Sequence, residues 1–118
     1  MAAELNIETI DQVKVLHLSG SLNQEGLAEI EKDFRAAAAG KSPRLVIDLA
    51  KVDAVTTPAI TLFLSTVRTV QPAGGKVVFT GAHGVTEDIF TRCRLDAIFT
   101  IATNVIDAVK LAQHGKKK

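Results

Sequence analysis

Three short apolar runs, RLVIDL at 44–49, KVVFTG at 76–81 and IFTI at 98–101, alternate with stretches whose apolar residues recur at helical spacing. Strands that follow one another through helices form βαβ units, and such units make right-handed crossovers onto a largely parallel sheet. No other feature narrows the fold as far. Upstream, Leu5, Ile7 and Thr9, then Val13, Val15, His17 and Ser19, form two further short runs joined around Asp11 and Gln12. They predict a hairpin whose second strand is the more buried and is ended by Gly20, which makes the sheet mixed. The expectation is a single α/β domain over 1–118 with a mixed, mostly parallel sheet of about five strands and about four helices. Its ordered core is expected at about 4–113 and a loose basic tail at 114–118.

The stretch 45–70 joins the strand LVIDL to the clearest helix signal in the chain. Asp53, Ala54, Val55 and Thr56 are expected as the loop between them. Thr57 is placed as N-cap and Pro58 as the first helical residue, a position with no intrahelical use for its N–H. Ile60, Phe63, Leu64 and Val67 then share one face, and Gln71-Pro72-Ala73-Gly74-Gly75 ends the helix. An earlier helix opens in SLNQEG (21–26), with Ser21 or Asn23 as cap, and buries Leu27, Ile30 and Phe34 before Gly40 stops it. A third, capped by Thr86, carries Ile89, Phe90 and Cys93 inward. The last, capped by Thr103 or Asn104, turns Ile106, Val109 and Ala112 inward.

Net charge is +1, from 14 basic and 13 acidic side chains, so no overall field draws the chain to nucleic acid or to an anionic membrane. With five Phe and neither Trp nor Tyr, little is available for stacking on single-stranded nucleic acid. No apolar stretch approaches the roughly 20 residues that span a bilayer, and MAAELNIE lacks the pattern of a signal peptide. These features predict a cytoplasmic protein without membrane insertion. The lone Cys93 cannot form an internal disulfide and fits a reducing compartment.

Enzyme signatures are missing from the sequence. The glycines at 74–75, 81 and 84 form neither a dinucleotide fingerprint nor a P-loop, and there is no nucleophile elbow. His17, His83 and His114 share no zinc-ligand spacing with Cys93 or with one another. The expectation is a non-enzyme with no cofactor and no metal. Asp48 is expected near the sheet edge, paired with Lys51, Arg44 or a backbone amide. His83 lies at the C-terminal end of a strand, where ligands of α/β sheets bind. Thr56 and Thr57 stand at a helix N-terminus, where unpaired N–H groups and the helix dipole favour negative charge.

The order of elements and the central corner resemble the STAS domain of anti-sigma factor antagonists. The resemblance runs from about Leu5 to Ala112. It rests on Gly20-Ser21-Leu22-Asn23 after the second strand, on LVIDL leading into a helix, on Gly74-Gly75-Lys76-Val77-Val78, and on Ile89-Phe90 through Leu95 to Ile98-Phe99. The family's Asp-Ser-Ser-Gly or Asp-Ser-Thr-Gly falls on Thr56-Thr57-Pro58-Ala59, so Thr56 replaces the acid, Pro58 the second hydroxyl and Ala59 the glycine. The resemblance implies that Thr57 is the phosphoacceptor and that the partner is an anti-sigma factor that is also a serine/threonine kinase. Ser21, Asn23, Thr56, Thr57, Pro58, Thr61 and His83 would face that partner. The alternative is an unphosphorylated scaffold, as a docking subunit of a stress-sensing assembly or a lipid-transport ATPase.

Overall fold

Asp11 and Gln12 both take positive φ, 50° and 70°, as a two-residue hairpin turn requires, and join β1 (Glu4–Ile10) to β2 (Val13–Leu22). The computed structural model describes residues 3–40 and 42–114, so the tail expected beyond His114 lies outside them. After the hairpin come α1 (Gln24–Ala37), β3 (Arg44–Val55), α2 (Thr57–Val70), β4 (Lys76–Thr80), α3 (Gly84–Arg92), a 3-10 turn at Leu95–Ala97, β5 (Thr100–Ala102) and α4 (Val105–His114). The five strands lie side by side in chain order, β1 antiparallel to β2 and every other pair parallel.

That sequential order decides where the helices go. Each right-handed crossover moves the chain one strand onward in the same direction, so α1, α2 and α3 fall on one face. Leu27, Ile30 and Phe34 of α1, Leu62, Phe63 and Val67 of α2 and Phe90 of α3 are buried there against Leu16, Ile47 and Phe79. All five phenylalanines join this layer: Phe34 meets Phe63, Phe63 meets Phe79, and Phe79 stacks on Phe99 at 4.3 Å between centroids with Phe90 edge-on to both. The opposite face is left to α4, whose Ala108, Val109 and Ala112 cover Val13, Val15, Val46 and Val78.

Several local expectations are corrected. Gly20 does not end β2; at φ 87° it sits at a shift of register against β3, a bulge that bends the strand and lets it run on to Leu22. Residues 53–55 are not a loop, because β3 continues to Val55 with Val52 and Val55 buried and Lys51 and Asp53 exposed. The last strand is Thr100–Ala102, beginning two residues later than expected. Thr86 is buried inside α3, which starts at Gly84 after His83, and because the helix ends at Arg92, Cys93 falls at its C-cap and is exposed. Ile106 is 70% exposed, while Ala108 takes the inward position. Gly40, at φ 108°, does not itself stop α1, which ends at Ala37 with Ala38 as its cap.

Candidate functional site

β3 pairs with β4 only as far as Asp48 and Thr80, whereas β2 and β3 stay paired through Ser21–Ala54 and Leu22–Val55. Beyond the sheet they form a two-stranded ribbon, and both chains leave it into helices. Asn23 caps α1, its Oδ1 accepting the Gly26 N–H at 2.8 Å. This settles the choice between Ser21, which lies in β2, and Asn23. At α2 the cap position belongs to Thr56 and not Thr57, because β3 runs on to Val55. The Thr56 hydroxyl does not cap its own helix; it donates to the Leu22 carbonyl at 2.7 Å and ties the two chain ends together. Thr57 becomes the first helical residue and Pro58 the second.

Thr57, Pro58 and Thr61 are exposed and line a groove of about 480 Å³ between α1 and α2. Gln24, Leu27 and Ala28 form its other wall, with the Arg35–Glu31 ion pair, 2.7 Å, at the far end. Ser21, Asn23 and Thr56 are half-buried at the ribbon. The structure therefore gathers six of the expected contact residues at the adjoining starts of two helices. His83 is not among the lining residues of this groove. It precedes α3, and its Nε2–H donates to the Ala50 carbonyl at 2.8 Å.

The sequence reading missed a second constellation. His17, Asp48 and Thr80 are opposite one another on β2, β3 and β4, on the face that α4 leaves partly open. His17 Nδ1 lies 2.7 Å from Asp48 Oδ2 and Nε2 lies 2.9 Å from Glu8 Oε1 on β1. Asp48 Oδ1 also accepts the Ala50 N–H at 3.0 Å. Of the partners expected for Asp48, the backbone amide is found; Arg44 instead donates to the Gln113 carbonyl. Asp48 is on the middle strand and not at an edge. The signal available was the polar His17 and Asp48 each continuing an apolar alternation, Val13-Val15 and Val46, on one face. Among the described residues no three His, Cys, Asp or Glu side chains are placed to hold a metal ion, and no helix is long and apolar enough to cross a membrane.

A family model described as STAS domain matches residues 4–108. Among solved structures, an anti-sigma factor antagonist from Mycobacterium paratuberculosis is similar at 22% identity and TM-score 0.85, covering 95% of each chain. An anti-sigma-factor antagonist (STAS) domain protein from Planctomyces limnophilus aligns at 14% identity and TM-score 0.82, covering 92% of this chain and 97% of its own. The phosphorylated form of SpoIIAA, a Bacillus cell fate determinant, aligns at 15% identity and TM-score 0.69, covering 91% and 97%. No curated protein matches the chain.

Proposed function

The chain belongs to the STAS domain family, and from that membership we propose that it is a non-catalytic protein-binding switch whose working face is the paired helix start at Thr57. The observation that carries this reading is a division of labour between neighbours. The Thr56 hydroxyl is committed to the Leu22 carbonyl, while Thr57 is exposed beside the α1–α2 groove. Unmodified, the groove and the Ser21–Asn23 corner receive an anti-sigma factor kinase. That kinase transfers a phosphoryl group to the Thr57 hydroxyl.

A phosphate there adds a charge of about −1.5 to −2. The protein itself tolerates it, because the helix N-terminus favours an anion and no side chain caps α2. Pro58 has no N–H, so the anion relies on the remaining donors of the first turn. A close-packed or acidic partner surface does not tolerate it, and the complex dissociates.

Incubation with an anti-sigma factor kinase and ATP, followed by peptide mass spectrometry, is expected to place one phosphate on Thr57. Label elsewhere, or none, would remove the switch. Thr57→Glu is expected to weaken the complex by roughly tenfold or more, equivalent to about 1.4 kcal/mol, while Thr57→Ala binds as the parent does. Pro58 and Ala59, in place of the family's hydroxyl and glycine, favour a second reading in which the same face docks constitutively. In that case the complex forms, Thr57 stays unlabelled and Thr57→Glu binds normally.

A further inference from the structure

The sheet face that α4 leaves uncovered carries a histidine held from two sides. His17 sits on β2 with Asp48 directly opposite on β3 and Glu8 diagonal to it on β1, and each ring nitrogen is within hydrogen-bond distance of a carboxylate oxygen, 2.7 Å and 2.9 Å. An ionised carboxylate only accepts, and a neutral imidazole has one N–H. Both contacts can be hydrogen bonds at once only when the ring carries two protons. The contacts are also unequal. Asp48 is 15% exposed and is oriented by the Ala50 N–H, whereas Glu8 is 57% exposed and reaches from an edge strand.

We propose that His17 is a proton-operated clasp: protonated, it ties the edge strand β1 to the central strand β3 across β2; neutral, it keeps Asp48 through Nδ1–H and lets Glu8 go. The charged groups about the ring are Glu4 and Glu8 from β1 and Asp48 and Lys51 from β3, while none of the described residues lining the adjoining recess of about 450 Å³ comes from α4. Losing the proton therefore adds one net negative charge to the recess and frees the Glu8 carboxylate at its margin. Burial opposes charging of the ring, but the hydrogen bonds and charges of Glu8 and Asp48 outweigh it, and the His17 pKa is raised above its usual 6.5. The clasp is closed below 6.5 and opens as pH rises through the raised value.

The test is a pH titration by two-bond 1H–15N correlation of the imidazole rings, with His17→Gln identifying the His17 signals. The expected result is a midpoint above 6.5, loss of the proton from Nε2 and retention at Nδ1. Glu8→Gln, an exposed change that leaves the fold intact, is expected to lower the midpoint. Hydrogen exchange of the β1 amides, corrected for intrinsic base catalysis, is expected to accelerate across the same transition in the parent and not in His17→Gln. A midpoint at or below 6.5, deprotonation at Nδ1, a Glu8→Gln midpoint equal to the parent's, or β1 exchange indifferent to the transition would each overturn the clasp.

Discussion

Thr56 and Thr57 are the same residue type one position apart, yet the fold gives them unlike tasks. Thr56 joins the starts of two helices through the Leu22 carbonyl, and Thr57 faces outward. Thr56→Val keeps the branched shape and removes the hydroxyl, leaving a half-buried carbonyl short of its donor. A loss of about 0.5–1.5 kcal/mol is expected from urea unfolding. Thr57→Ala, at an exposed position that caps nothing, is expected to change stability by less than about 0.5 kcal/mol. Equal losses would contradict this assignment. Which threonine takes the cap position was not legible locally. Pro58 suits the first helical position well enough to suggest Thr57 as cap, and only the unforeseen extension of β3 to Val55 moves the cap back by one.

The elements themselves were legible where an apolar pattern was continuous. LVIDL, KVVFT and the helical face of Leu27, Ile30 and Phe34 all appear where their periodicity puts them. Their ends were not, because long-range pairing decides them. Lys51 and Asp53 interrupt the apolar pattern of β3, but its backbone stays paired to β2 as far as Leu22. The third helix shows the same at its far end: Phe90 is buried as its spacing predicts, but the helix stops at Arg92 and leaves Cys93 exposed at the cap. The turn from α2 into β4 has less freedom. A Cβ on Gly75 would overlap the Pro43 carbonyl oxygen and lie 2.7 Å from Val70 Cγ1. Gly75→Ala is expected to cost about 1–3 kcal/mol in chemical denaturation, since both neighbours are held by the sheet and by α2.

For the whole molecule, the strand order 1-2-3-4-5 sends three helices to one face and leaves one helix for the other, so polar side chains over β1 and β2 stay partly open. Stability should carry the signature of that asymmetry. The His17 pKa is higher folded than unfolded, so its contribution is complete below 6.5 and fades as pH rises through the raised folded value. Urea midpoints are expected to fall across that interval by more in the parent than in His17→Gln, and parallel curves for the two proteins would contradict the linkage. Fold class and the helix-start corner could be reached from the chain alone, because βαβ rhythm and local turn chemistry encode them. The Glu8–His17–Asp48 cluster could not, because its three members are brought together only by strand register.

The ribbon beyond the sheet has a mechanical consequence. With no third strand among the described residues beside its outer rungs, it is the portion of β2 and β3 freest to twist, and it serves as a common pedestal for both helix starts. A protein seated over the groove braces that pedestal from outside. Amides of Lys51–Val55 are expected to gain more exchange protection on complex formation than those of Leu45–Leu49, already shielded by neighbours on both sides. Rigidity would thus arrive with the partner, in β3 residues that do not line the groove it fills.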